Sequence, residues 1–483
     1  MHVGAVTRIF GRLLMVFSIF MLPPAGVATY YGDGQTANFL TSAGILFVIG
    51  ALIYLPLKDY RVTLRLRDGF LVVALFWVAL GFAGAAPLLS AGVLEMSLVD
   101  AVFESVAGLT TTGATVLINL DYLPRSILYY RQQLQWLGGM GIIVLAVAVL
   151  PMLGVGGMQL YKAETPGPAK DTRIAPRISQ TANRLWMIYF AFTVVCALAY
   201  WAAGMELFDA IGHSFSTVAI GGFSTHDASM GYYDSHTIHL IAVLFMFLSG
   251  ANFALHFFAW QRKTIKHYFL DPEFRAYLVF QTVLILITVV VLIWGKEYDS
   301  LSDTIVHGLF QAVSISTTTG FTTTEYIHWP NGPPVLLLLS SFVGGCAGST
   351  GGGMKVVRWL LIYKQGVREV FRLVHPSAEI PVKLGQKAVP VRIIDAVWGF
   401  FSVYVVLFAI MMLFLMATGL NQVTAFAAIS ATLNNLGPGL GDVAANFRGV
   451  NDAAKWVGIF AMLLGRLEIF TLLVLFTPTF WRR

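Results

Sequence analysis

The chain has 483 residues, of which 57% are hydrophobic and 12% charged, with a mean hydropathy of +0.74. That composition excludes an ordinary water-facing globule and places the chain in a bilayer, so the formal charge of +6, carried in loops, is no evidence for nucleic acid. Two cysteines, Cys196 and Cys346, exclude a disulfide scaffold.

A membrane span needs about 20 mostly apolar residues. The sequence predicts ten, at roughly 9–31, 37–57, 69–90, 128–151, 184–204, 237–260, 276–295, 333–362, 396–419 and 454–478. Arg8 and Arg12 before LLMVFSIFM imitate a secretory signal, but the apolar run continues to Tyr31, so an uncleaved first span is expected. Four connections then carry a common pattern, an amphipathic stretch running into a turn that ends in glycine. They read SVAGLTTTGAT (Ser105 to Thr115), SFSTVAIGGFS (Ser214 to Ser224), AVSISTTTGFT (Ala312 to Thr322) and ISATLNNLGPG (Ile429 to Gly439). Aligned on Gly113, Gly222, Gly320 and Gly437, they recur at intervals of 109, 98 and 117 residues, which marks a fourfold internal repeat.

Glycine at the end of each turn permits positive φ, so that successive carbonyls can point into a shared axis. Rings of such carbonyls replace the water shell of a permeating cation. In every repeat the short helix precedes the turn, as Asp100 to Leu109 precedes Thr110. Its C-terminal end, with about half a negative charge, therefore faces the turn and favours a cation; an anion would sit at helix N-termini.

Positive charges give the orientation. Arg8 and Arg12, the cluster Lys58, Arg61, Arg65 and Arg67, the stretches Lys162 to Arg184, Arg262 to Arg275 and Lys364 to Arg392, and Arg482 with Arg483 all follow an even number of crossings. The positive-inside rule makes them, and both termini, cytoplasmic. The other side keeps Arg125, Arg131, Lys296, Arg448 and Lys455, and all four glycine turns lie there. Four loops entering from one face can meet around one axis, where irregular backbone at membrane depth is tolerated.

The eighth span is interrupted by GGCAGSTGGGMK. Gly344, Gly345, Gly348, Gly351, Gly352 and Gly353 each cost a helix about 1 kcal/mol relative to alanine, so the span breaks there. Broken helices mark ion pathways, with a packing kink as the alternative. Gly348 to Gly353 imitates a phosphate loop, but Met354 precedes Lys355, no Ser or Thr follows and no strand leads in, so a nucleotide site is not expected.

Arg466 lies near the centre of the last predicted span, where an arginine costs about 2.5 kcal/mol or more unless it faces protein or water. Glu468, two positions on, cannot face it on a helix. The carbonyls freed at Gly344 to Gly353, or those of the lower filter, are the expected acceptors, and a purely structural role is the alternative.

Asp100, Glu104, Asp209 and His213 fall on or before the short helices, either concentrating cations at the mouth or serving as solvated rim charges. His236 and His239 form HxxH without a companion, so no metal site is expected. Trp77, Tyr129, Tyr130, Trp329 and Trp481 read as interface anchors. No catalytic constellation has a plausible setting, so the chain is not expected to be an enzyme.

From about Asp68 to Trp481 these features resemble the Trk/Ktr/HKT superfamily of cation transporters. The extra N-terminal pair of spans, TTTGA, TTTGF and GGCAGSTGGGMKVVR look like its TrkH branch of bacterial potassium uptake proteins. The resemblance implies an all-α membrane protein with four pseudo-fourfold repeats of span, pore helix, filter loop and span around one central pore. It divides the chain into a two-span segment (1–67), repeat 1 (68–160), repeat 2 (161–270), repeat 3 with the gating loop (271–388) and repeat 4 (389–483).

The resemblance also implies K+, with Rb+, as substrate at filter positions Thr111, Thr112, Gly113, Ile220, Gly221, Gly222, Thr318, Thr319, Gly320, Asn435, Leu436 and Gly437, and no cofactor bound by this chain. The six glycines of the loop, Lys355 and Arg466 would form the gate. Repeats 2 and 4 depart from a Thr-Val-Gly pattern, so an asymmetric filter is expected. A homodimer in the bacterial inner membrane follows, with a cytosolic RCK-type, TrkA-like subunit that binds nucleotides and docks on basic loops such as Lys364 to Lys387. The alternative is a multispan membrane scaffold or enzyme whose glycines only pack helices, though a scaffold has no reason to place four glycine turns on one side.

Overall fold

The computed structural model describes residues 2–60, 62, 66–144, 174–330 and 332–482. Among these the only strands are a hairpin of Lys383–Leu384 with Lys387–Ala388. Among the described residues six helical segments are long and apolar enough to cross a membrane: Val3–Tyr31, Thr36–Leu57, Arg67–Ser90, Asn183–Ala202, Pro272–Gly295 and Val391–Ala417. The spans expected at 128–151 and 333–362 appear as Arg125–Val144 and as the interrupted pair Pro333–Ser340 and Val356–Val374. The end of the fourth span and the expected boundary between repeats 1 and 2 lie outside the described residues.

Four short helices occupy the centre: Leu98–Leu109, Leu207–Ala219, Leu301–Ser316 and Gln422–Leu433, here called pore helices 1 to 4. Ser97, Ser300 and Asn421 cap three of them by accepting a first-turn N–H, which fixes where each helix begins. Their C-terminal halves are buried, as from Ala101 to Leu109.

Each pore helix packs on a span of its own repeat and also on the second span of the repeat before it. Pore helix 2 touches Arg125–Val144, pore helix 3 touches His236–Ser249, pore helix 4 touches Pro333–Ser340, and pore helix 1 touches Asp452–Arg466. The packing therefore closes into a cycle. The N-terminal pair Val3–Ile19 and Thr36–Tyr54 stands beside repeat 1, crossing where Gly11 and Gly50 meet. A Cβ on either would lie 2.8 Å from the other's carbonyl oxygen, the close approach that small residues allow in membranes.

Two expected continuous spans are broken. Between Ser249 and Phe253 the sixth bends by 93°, and between Arg466 and Phe470 the last bends by 108°. The first break has a cap and a partner: Asn252 accepts the N–H of Ala254, and the Gly250 carbonyl accepts that of Cys346 at 2.8 Å. At the second, Glu468 and Ile469 take φ of 55° and 45°, which a helix cannot continue through.

Three expected interface anchors are core residues instead. Trp77, Tyr130 and Trp329 are buried, and the Tyr130 hydroxyl donates to the Gly84 carbonyl at 2.8 Å. Trp481 is exposed, as an anchor requires.

Candidate functional site

Each pore helix ends by bonding the turn that follows it. The N–H groups of Thr112, Gly221, Thr319 and Leu436 donate to the carbonyls of Ala107, Ser216, Ser314 and Ala431, each at 2.8 Å. The residue before each of these is left-handed, with φ of 51° at Thr111, 55° at Ile220, 69° at Thr318 and 55° at Asn435. The residue after it is again left-handed, at Gly113, Gly222, Gly320 and Gly437, while the middle one is not. With the amides tied back to their own helix, the carbonyls turn away from it.

One carbonyl of each turn lies against the glycine of the preceding repeat. A Cβ on Gly113 would lie 2.1 Å from the Gly221 oxygen, one on Gly222 2.1 Å from the Thr319 oxygen, and one on Gly320 2.1 Å from the Leu436 oxygen. On Gly437 it would lie 2.7 Å from the Thr112 oxygen, which closes the ring. The twelve filter positions read from the sequence are thus brought together in the cyclic order of the repeats.

The ring is braced by neutral groups. The Thr110 and Thr112 hydroxyls are 2.7 Å apart and those of Thr317 and Thr319 2.8 Å. Asn435 donates to the Thr112 hydroxyl at 2.9 Å and to the Met462 carbonyl at 3.0 Å, and Asn434 bonds Ser341 at 2.9 Å and Tyr404.

The loop from Gly344 to Gly353 lies against the ring. The Gly352 N–H donates to the Thr318 hydroxyl at 2.7 Å, the Gly353 N–H to the Asn434 carbonyl at 3.0 Å, and the Thr350 hydroxyl to the Val218 carbonyl at 3.0 Å. The loop also fills the bend of the sixth span, where Phe253 N–H donates to the Gly348 carbonyl at 3.1 Å. Lys355 reaches back to the Gly351 carbonyl, and Glu273 accepts the N–H groups of Ala347 at 2.7 Å and Val357 at 3.2 Å. All the residues expected to form a gate are therefore in one place.

A family model described as TrkH, cation transport protein, matches residues 35–483. The chain belongs to the TrkH family of cation transport proteins. A Trk system potassium uptake protein of Vibrio parahaemolyticus is 57% identical over 484 residues, and one of Escherichia coli 55% identical over 482, each covering 100% of both chains. The crystal structure of the potassium transporter from Vibrio parahaemolyticus superimposes with a TM-score of 0.94 at 55% identity, again over 100% of both chains. The family's task is transport, not catalysis.

Within this family fold, Arg466 makes fewer bonds than expected. Its Nη1 donates to the Thr350 carbonyl at 3.1 Å, the guanidinium lies 5.9 Å from the centre of the Trp77 ring, and Nε and Nη2 are buried without an acceptor among the described residues. Glu468 turns away to Arg358 at 2.5 Å.

The expected mouth charges are also corrected. Glu104 is wholly buried with Arg131 at 2.7 Å and accepts the Thr115 hydroxyl and the Val116 N–H. Arg131 also donates to the Ser224 carbonyl at 3.2 Å, so the pair ties the segment after Gly113 to the segment after Gly222. His213 is buried between the Asp209 carbonyl and the Ser224 hydroxyl, each at 2.9 Å. Asp100 pairs with Lys455 at 2.7 Å.

The partners in the Glu104–Arg131 and Asp100–Lys455 pairs lie 27 and 355 residues apart, so nothing local in the sequence signals them. For the HxxH pair, His236 meets Asp303 at 2.9 Å and His239 the Met230 carbonyl at 3.0 Å. Among the described residues no three metal-ligating side chains gather.

Proposed function

We propose that this chain is a potassium uptake subunit of a bacterial inner membrane, conducting K+ and Rb+ along the axis of the carbonyl ring. The observation that carries the reading is that each filter glycine faces a carbonyl of the next repeat. Four helix C-termini, each with about half a negative charge, back that ring. Neutral carbonyls replacing water suit a monovalent cation, and the potassium named for the relatives supplies the ion.

Loop Gly344 to Gly353 with Lys355 and Arg466 is the gate in this reading, and the four repeats divide as the sequence suggests. The charge distribution supports cytoplasmic termini. A homodimer and a cytosolic nucleotide-binding subunit of the RCK type, docking on the basic segment from Lys364 to Lys387, complete the assembly. A scaffold reading is less well supported: packing glycines such as Gly11 and Gly50 meet as a single pair, whereas Gly113, Gly222, Gly320 and Gly437 meet backbone oxygens in a closed cycle of four.

The test is ion flux in liposomes. Wild-type protein passes K+ and Rb+ in preference to Na+, and Gly113→Ser or Gly320→Ser lowers that ratio, because a Cβ is penalised at positive φ and strikes the neighbouring carbonyl. Unchanged ratios in both folded variants would sink the filter assignment.

A further inference from the structure

Repeat 2 lacks a side chain in the middle of its filter, which reads Ile220, Gly221, Gly222. Repeats 1 and 3 hold Thr112 and Thr319 there, each braced by a neighbouring threonine hydroxyl. In repeat 2 the space is filled from another repeat. Gln135, on Arg125–Val144 and fully buried, donates from Nε2 to the Gly221 carbonyl at 2.6 Å and accepts the Phe223 N–H at Oε1 at 3.1 Å. A Cβ on Gly221 would lie 2.4 Å from Gln135 Cδ, so the glycine is the slot into which the amide fits. The Gly221 oxygen is also the one that faces Gly113, and Gln135 Nε2 lies 3.5 Å from where a Gly113 Cβ would be. The amide thus reaches the ring itself, at the joint between repeats 1 and 2.

We infer that Gln135 is a positioning residue of the filter that sets ion discrimination by holding the Gly221 carbonyl. The inference rests on the filter reading proposed above. Two bonds of opposite polarity straddle Gly222, and a primary amide supplies both a donor and an acceptor at its tip. Among the described residues no side-chain donor is bonded to the other ring carbonyls, those of Thr112, Thr319 and Leu436. A carbonyl that already accepts an amide N–H offers less to a cation, so one quadrant of the ring differs from the other three. This gives the asymmetry of repeat 2 a physical cause that its own residues do not contain.

Gln135→Met keeps length and removes both bonds, and Gln135→Glu as the carboxylate keeps the acceptor for Phe223 and loses the donor. The K+/Na+ flux ratio in liposomes is expected to fall about three- to tenfold in the Met variant and to change in the Glu variant. Gly221→Ala presses on the same amide from the other side and serves where a Gln135 variant fails to fold, with the same fall expected. As a readout free of flux, the extra thermal protection that K+ gives purified protein over Na+ should shrink in parallel.

A purely structural Gln135 lowers the melting temperature and leaves ratio and protection alone, which overturns the inference. If the ratio is unchanged in folded Gln135 variants while Gly113→Ser and Gly320→Ser still shift it, only the role of Gln135 falls. If none of the four shifts it, the filter reading falls as well.

Discussion

Thr111, Ile220 and Thr318 hold β-branched side chains in left-handed backbone, at about 1–2 kcal/mol each. They are held there because the amide that follows each is bonded to its pore helix and the surroundings are closed. The sequence discloses the glycine of each filter, since glycine signals positive φ, but nothing in a threonine or an isoleucine discloses the left-handed partner two positions earlier. Glu104 and Arg131 were equally opaque: lone charges in apolar sequence read as surface, and 27 residues separate the partners. Removing one member of such a buried pair leaves the other uncompensated, at about 3–5 kcal/mol. Glu104→Ala and Arg131→Met are each expected to lower the melting temperature sharply, and the double variant to lose less than the sum. Strict additivity in that cycle would show that the two charges do not act as a pair.

At the scale of elements, the break in the eighth span was legible because six glycines in ten residues cannot sustain a helix. The bends at Gly250 and after Arg466 were not, because a single glycine or none marks them and the cause is tertiary: Cys346 bonds the Gly250 carbonyl, and Arg358 draws Glu468 aside. The gate reading predicts that deleting two or three residues between Gly345 and Gly352 raises flux while leaving the K+/Na+ ratio nearly unchanged. A large change of ratio with unchanged flux would make the loop part of the filter instead.

A second element-level expectation concerns the outer turn of repeat 2. His226 lies between Asp121 and Asp209, the latter at 3.2 Å, and stacks on Tyr232, with Asp227, His213 and Tyr233 nearby. Burial lowers its pKa, but the hydrogen bonds and charges of Asp209 and Asp121 outweigh that and raise it above 6.5. A raised folded pKa means that the stabilisation is complete below about pH 6.5 and is lost as pH rises through the folded value. The melting temperature should therefore fall over that window in wild-type protein and less in His226→Gln. Parallel curves for the two proteins would remove His226 from the account.

For the whole molecule, the spacing of four glycine turns and their shared side were enough to foresee a ring. The contacts that lock it were not foreseeable, because they join distant repeats. The loop of repeat 3 bonds the Val218 carbonyl of repeat 2, Thr318 of its own repeat and the Asn434 carbonyl of repeat 4, while Arg466 of repeat 4 holds the Thr350 carbonyl from the far side. In the gate reading, any movement that clears the axis would have to release several of these together, which makes opening a property of the assembly of repeats. Arg466 is the charged member of these four contacts. It has five donors and no accessible neutral form, and only one of its nitrogens is bonded among the described residues. Its charge is therefore weakly compensated beside the loop. A like charge at about 4 Å, with an effective dielectric of about 20, is repelled by roughly 4 kcal/mol. A third of that changes barrier crossing about tenfold. Arg466→Gln, which keeps donors but removes charge, should raise basal K+ flux by about that factor, and Arg466→Ala, which also frees the Thr350 carbonyl, should raise it further. Comparison of the two separates electrostatic obstruction from loop tethering. Wild-type basal flux in a folded Arg466→Ala protein would leave the arginine with a structural role only.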